Sequence, residues 1–171
     1  MVAQIENEDI PYEEEVLRNA YSVKPWLRYA EHKSRGPKIS LYTVYERALK
    51  ELPCSYKIWY KYLCLRRKGT KHRSVEDPEM ERVIDCYERA LVFLHKMPRI
   101  WMDYCKFVVD LNYVTKARQT LDRALRSLPI TQHGRIWPIY LEFIKKHNIK
   151  EQALRVYRRY LQLAPDDAEV Y

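Results

Sequence analysis

Residues 98–129 read PRIWMDYCKFVVDLNYVTKARQTLDRALRSLP. Two apolar phrases sit in this stretch. The first is Trp101-x-x-Tyr104-x-x-Phe107; the second is Leu121-Asp122-Arg123-Ala124-Leu125, closed by Pro129. Spacing of i, i+3 and i+6 gathers the three rings of the first phrase on one face of a helix. The second phrase places a small residue, Ala124, where two helices approach closely, with Leu125 as filler beside it. Proline then ends the second helix, because its ring blocks further helical hydrogen bonding. The stretch therefore predicts two antiparallel helices, A and B, joined by a short link.

The same two phrases recur on either side. Trp26-x-x-Tyr29, Trp59-x-x-Tyr62 and Trp137-x-x-Tyr140-x-x-Phe143 repeat the first. Tyr45-Glu46-Arg47-Ala48-Leu49 before Pro53, Tyr87-Glu88-Arg89-Ala90-Leu91 before Pro98, and Tyr157-Arg158-Arg159-Tyr160-Leu161 before Pro165 repeat the second. The tryptophans are 33, 42 and 36 residues apart, a period that fits two helices and two turns. One pair alone cannot bury such an aromatic face, so the expected fold is all-α, a right-handed solenoid of stacked helix pairs. The expected helices cover 12–19, 23–34, 38–51, 55–67, 78–96, 98–111, 114–127, 135–147 and 150–163. Pro25, Pro37, Pro78, Pro98 and Pro138 fall near their starts, where a missing N–H costs nothing.

This pattern divides the chain into an acidic tail (1–11), a capping helix (12–22), four repeats (23–53, 54–98, 99–129 and 130–165) and the start of a further repeat (166–171). The last six residues look like an N-cap and first turn, which leads to the expectation of an N-terminal fragment of a longer repeat protein. The second repeat is longer than the others, and the surplus is expected in a polar, glycine-containing loop at 68–77. In the fourth repeat Tyr160 replaces the alanine and Arg158 the acidic residue, so that pair is expected to pack differently.

Composition agrees with helices. Only three glycines occur among 171 residues, too few for the tight turns of a β architecture. Hydrophobic residues make up 47%, enough for a core, and fifteen tyrosines with four tryptophans exceed what a coiled coil needs. No apolar run approaches the ~18 residues of a membrane span. The first fifteen residues hold six acids and no base, unlike a signal peptide. Cys54, Cys64, Cys86 and Cys105 form no CxxC pair and read as buried, reduced thiols.

The overall charge of +8 is concentrated. Lys57, Lys61, Arg66, Arg67, Lys68, Lys71 and Arg73 fall within 17 residues with no acid among them. Three readings stand: a solvated helix face and loop, a surface for an acidic protein partner, or sequence-independent contacts to nucleic-acid phosphates.

The Trp-x-x-Tyr phrase followed by Glu-Arg-Ala-Leu and proline, at this period, resembles the HAT repeat, the half-a-TPR variant of RNA-processing proteins. The Gly–Tyr signature of TPR helices is missing. Further phrases narrow the resemblance: Asp9-Ile-Pro-Tyr-Glu-Glu-Glu, Arg18-Asn19, Tyr21-Ser22-Val23-Lys24, Leu52-Pro53-Cys54-Ser55-Tyr56-Lys57-Ile58-Trp59-Tyr60, His95-Lys96-Met97-Pro98-Arg99 and Leu128-Pro-Ile-Thr-Gln-His133. Over residues 9–171 the chain is similar to the Syf-type pre-mRNA splicing factor family, also called the XPA-binding protein family. The resemblance implies a nuclear, spliceosomal scaffold of the nineteen-complex group. Its implied partners are a crooked-neck-type HAT protein, an Aquarius-type helicase and associated subunits, with a further link to transcription-coupled DNA repair.

Nothing in the sequence points to catalysis or to a cofactor. Glu13-Glu14-Glu15 reads as an acidic run favoured by a helix N-terminus. The five histidines lack metal-ligand spacing, and no phosphate-binding or nucleophile motif occurs. The Trp and Tyr stripes read as repeat core rather than base-stacking platforms. The expected function is a protein-interaction scaffold, not an enzyme, with direct RNA binding by the 57–73 segment as the alternative.

Overall fold

A computed structural model describes residues 7–147 and 150–164; the six residues after Pro165 expected to open a further repeat lie outside them. The secondary structure of the described residues is helical, without a β-strand. The helices are α1 (Ile10–Arg18), α2 (Val23–Lys33), α3 (Lys38–Glu51), α4 (Tyr56–Thr70), α5 (Pro78–Leu94), α6 (Pro98–Asp110), α7 (Val114–Ser127), α8 (Trp137–His147) and α9 (Lys150–Leu161). Short 3-10 turns precede α1 (Asn7–Asp9) and α8 (Ile130–Arg135). The all-α fold of paired helices is what the repeat predicts.

The helices fall into two compact units, Met1–Leu94 and His95–Tyr171. In the first unit α1 packs on α2, α2 on α3, α3 on α4 and α4 on α5. In the second, α6 packs on both α7 and α8, and α8 on α9. Links of a few residues between packed neighbours force the chain to reverse at each step. At the α6–α7 link, Asn112 takes a left-handed backbone (φ 57°), a conformation Asn tolerates after a helix end.

Repetition in the sequence becomes repetition in the core. Trp26, Trp59, Trp101 and Trp137 are all buried, with Tyr29, Tyr62, Tyr104, Tyr140, Phe107 and Phe143 beside them. From the second helices, Tyr45, Leu49, Tyr87, Leu91, Leu121 and Leu125 are buried against these rings. Ala48, Ala90 and Ala124 are 1%, 0% and 0% exposed, so the close approach leaves no volume beyond their methyls. Tyr157 and Leu161 differ, being only half-buried, because α9 packs on α8 and its opposite side, with Leu154, stays exposed among the described residues.

Two boundaries shift from expectation. First, α1 starts at Ile10, and Asp9, assigned to the tail, is buried and ion-paired to Lys33 at 2.7 Å. Second, the surplus of the second repeat is not all loop. Helix α4 continues through Thr70, which is buried, and α5 is 17 residues long, leaving 71–77 as the link. Gly69 lies inside α4, where an added Cβ would come 3.3 Å from the Tyr42 hydroxyl.

Replacing Ala90 by Trp should overpack the α4–α5 pair and lower stability by about 1–3 kcal/mol or more. Thermal melting followed by helical circular dichroism checks this, and an unchanged midpoint would contradict the interior placement of Ala90.

Candidate interaction surfaces

The repeated Glu-Arg of the second helices has a structural role that its spacing does not disclose. Arg47 donates through both terminal nitrogens to the Glu13 carboxylate at 2.5 and 2.8 Å. Arg89 does the same to Glu46 at 2.9 and 2.6 Å, and Arg159 reaches Asp122 at 2.8 Å. Each arginine thus pairs with the acid one repeat earlier. The same acids accept a tyrosine hydroxyl from the intervening first helix. Tyr62 donates to Glu46 at 2.7 Å and Tyr140 to Asp122 at 3.2 Å, and Tyr29 is bonded to Glu13.

The arginine at this position of α3, α5, α7 and α9 also covers a tryptophan. The guanidinium carbons of Arg47, Arg89, Arg123 and Arg159 lie 5.7, 5.6, 5.6 and 5.9 Å from the ring centres of Trp26, Trp59, Trp101 and Trp137. Such cation–π contacts contribute about 0.5–2 kcal/mol, depending on desolvation. The indole N–H has its own acceptor in three repeats: the carbonyls of Ala20, Pro53 and His95, each six residues upstream, at 2.8, 2.7 and 2.8 Å. In the fourth repeat the 3-10 turn replaces that loop, Trp137 opens α8, and its buried N–H has no partner among the described residues. Tyr160 sits 5.4 Å from the Trp137 ring, so this pair does pack differently from the rest.

Helix α1 belongs to the same scheme. Tyr12 stacks on Tyr29 at 5.9 Å as Tyr45 stacks on Tyr62 at 5.4 Å, and Glu13 and Val16 occupy the places of Glu46 and Leu49. The shared pattern Tyr-Glu-x-x-(Val/Leu) at 12–16 and 45–49 was visible in the sequence and marks α1 as a shortened second helix. The acidic run is therefore engaged in pairing rather than merely tolerated by the helix dipole: Glu13 with Arg47, Glu14 with Arg18, and Glu15 with Arg28.

Electrostatics follow from these contacts. The Arg47 hydrogen bonds hold the Glu13 carboxyl below its ordinary value, against the effect of burial. Burial alone would raise Glu46, but hydrogen bonds from Arg89 and Tyr62 outweigh it and the carboxyl is also depressed. Burial raises the hydroxyls of Tyr29, Tyr62 and Tyr140, and the acids they bond to add to the rise. Burial also pushes the Cys105 thiol up to about 12 and raises that of Cys86, so both are inert thiols. Cys64 is half-buried and Cys54 exposed, so burial does not extend to all four cysteines.

The basic segment does not act as one face. Lys57, Lys61 and Lys68 on α4 and Lys71 in the link are exposed. Arg66 is turned inward: 14% exposed, it pairs with Glu79 at 2.5 Å and lies 4.5 Å from the Tyr42 ring. Arg67 is half-buried. Arg73 bonds the Gly69 carbonyl at 3.2 Å and Asp77 at 2.9 Å, and Asp77 in turn accepts the Glu79 amide, fixing the start of α5. Four lysines remain facing solvent. No group of three or more His, Cys, Asp or Glu suited to a metal occurs among the described residues, and none of their helices is long and apolar enough to cross a membrane.

Residues 8–166 match the family described as pre-mRNA-splicing factor Syf1/CNRKL1 N-terminal HAT repeat. The chain belongs to this family. It is 60% identical over 166 residues to pre-mRNA-splicing factor SYF1 of Homo sapiens and to the syf1 homolog of Drosophila melanogaster, covering 97% of this chain and 19% of each relative. Pre-mRNA-splicing factor cwf3 of Schizosaccharomyces pombe is 41% identical over 166 residues, 96% of this chain and 21% of that protein. The chain thus spans about a fifth of the length of these relatives.

Replacing Glu46 by Ala should strand the buried Tyr62 hydroxyl and cost about 1–3 kcal/mol; adding Tyr62→Phe should recover part of the loss. Urea unfolding of the two single variants and the double variant checks this, and strict additivity would refute the shared contact. The pH dependence follows from the depressed carboxyls. Their stabilisation is complete above the ordinary glutamate value of 4.5 and is lost as pH falls through the lower folded values. The urea midpoint should therefore drop on acidification below 4.5, and less so in Glu46→Ala.

Proposed function

We propose that this chain is part of a non-catalytic protein-interaction scaffold of the spliceosome, acting in the nucleus and organising subunits of the nineteen-complex group. Its partners in this reading are a crooked-neck-type HAT protein, an Aquarius-type helicase and associated subunits. A second setting, transcription-coupled DNA repair, would use the same docking surfaces. The observation carrying the reading is that every tryptophan of the repeated phrase is consumed by packing. Helix surfaces that vary from repeat to repeat are then what the chain offers outward. Splicing factors matching nearly the whole chain support the cellular setting.

Direct RNA binding is the competing reading, and Lys57, Lys61, Lys68 and Lys71 are the exposed cations that favour it. With all four tryptophans buried, binding through these lysines would run through phosphates, giving a salt slope near 3 for four contacts to a single strand at about 0.7 each.

Used as bait in ribonuclease-treated nuclear extract, the chain should recover the crooked-neck-type and Aquarius-type proteins above an unrelated helical-repeat bait. Failure to enrich any spliceosomal protein would remove the scaffold reading. Enrichment that vanishes with ribonuclease, alongside a salt-sensitive mobility shift on single-stranded RNA, would replace it with the RNA reading.

A further inference from the structure

Between α7 and α9, the second helices of the third and fourth repeats, runs a groove of about 650 Å³ lined by five arginines: Arg118, Arg123, Arg126, Arg155 and Arg159. Asp122 is the single acid lining it, and Arg159 already neutralises it at 2.8 Å. Two of the arginines have a packing role. Arg123 and Arg159 lie over Trp101 and Trp137, as their counterparts do elsewhere in the chain. Arg118, Arg126 and Arg155 do not share that role and pair with no carboxylate among the described residues.

The repeats themselves act as an internal control. Counting from the Glu-Arg phrase, Arg118 stands where earlier repeats have Tyr42 and Ile84, and Arg126 where they have Lys50 and Val92. Arg155 stands where the other repeats have Thr43, Asp85 and Gln119. The fold is therefore built without arginine at these three positions. The corresponding groove between α3 and α5, about 550 Å³, shows what the repeat makes otherwise. It is lined by Leu49, Val92 and Phe93, and its charges are Glu46 paired with Arg89, plus Lys50.

We propose that the α7–α9 groove docks an extended acidic segment of a partner protein. This rests on the scaffold reading and names one of its surfaces. Arginine forks match carboxylates bidentately, as Arg47–Glu13 and Arg89–Glu46 do within this chain. Gln119 and Gln152 also line the groove and can bond the N–H and C=O of an extended backbone, which polar amide groups suit. Nucleic acid fits less well. Tyr140, the groove's one aromatic, is buried with its hydroxyl committed to Asp122, so no ring is presented for a base to stack on.

The test is fluorescence anisotropy of the 171-residue chain with a fluorescein-labelled peptide of alternating glutamate and glycine. Saturable binding is expected, with none to the glutamine–glycine analogue. The Arg118→Ser/Arg126→Ser/Arg155→Ser variant should bind at least about tenfold more weakly, since charged hydrogen bonds are lost. Lys57→Ser/Lys61→Ser/Lys68→Ser removes equal charge elsewhere and should bind within about twofold of the parent. Helicity and melting midpoint confirm that each variant is folded; should the triple arginine variant unfold, the exposed single change Arg155→Glu replaces it. Equal loss in both variants, or no saturable binding by the parent, overturns the proposal. So does displacement of the peptide by oligouridylate at lower concentration through the same arginines. A chain that recovers spliceosomal proteins from extract yet ignores the peptide would lose the groove and keep the scaffold.

Discussion

One carboxylate on each of α1, α3 and α7 ties that helix to the arginine of the next second helix. Glu46 accepts both guanidinium nitrogens of Arg89 and the hydroxyl of Tyr62, so a single side chain fixes the first helix and the second helix of the following repeat together. The arginine it holds lies over Trp59, whose N–H is in turn bonded to the Pro53 carbonyl at the end of the previous pair. Hydrophobic burial supplies most of the drive to pack these helices, but burial is not directional and would tolerate sliding. The acid–arginine–tyrosine contact is directional. It gives α3 on α1, α5 on α3 and α9 on α7 one preferred position, and at the partly exposed Arg89–Glu46 site the ion pair itself adds little.

This arrangement explains why some parts of the molecule were legible in the sequence and others were not. Trp101-x-x-Tyr104-x-x-Phe107 is a statement about one helix face, and helical periodicity alone decides it. Ala90 and Pro98 likewise act on their own helix and its immediate partner. The purpose of Glu46 and Arg89 is different, because they are 43 residues apart in the chain and meet only after two intervening helices have packed. A repeated dipeptide shows that some role exists without showing what it touches. Arg66 is the opposite case. Its neighbours in sequence are basic, yet Glu79 and the Tyr42 ring draw it inward, so a charge count along the chain overstated the outward field. Cys54 is exposed because it lies in the link before α4, a place that its residue type does not reveal.

The fourth repeat shows the limits of the scheme within a single chain. Arg158 occupies the position of Glu46 and Asp122, and a guanidinium has no lone pair to offer an arginine or a tyrosine hydroxyl. Tyr160 fills the alanine position and tilts against Trp137, whose N–H has lost the carbonyl that the other three tryptophans use. These departures cluster in one helix pair: a 3-10 turn precedes Trp137 at the start of α8, and the Tyr160 ring lies beside it.

A repeat protein therefore carries its own reference for separating packing from recognition. Residues present in every copy, such as the tryptophan, its covering arginine and the small helix-B residue where it is kept, answer to the interior. Residues peculiar to one copy answer to it only where, like Tyr160, they pack against a core ring. Arg118 and Arg155 add two cations, and Arg126 keeps the one that Lys50 supplies, in a groove whose counterpart between α3 and α5 is otherwise lined by Leu49, Val92 and Phe93. Placing like charges side by side raises the energy of the free chain, and no carboxylate among the described residues relieves it at these three. A complementary anionic partner would remove that repulsion on binding, which makes unrelieved charge peculiar to one repeat a sharper pointer to recognition than total charge.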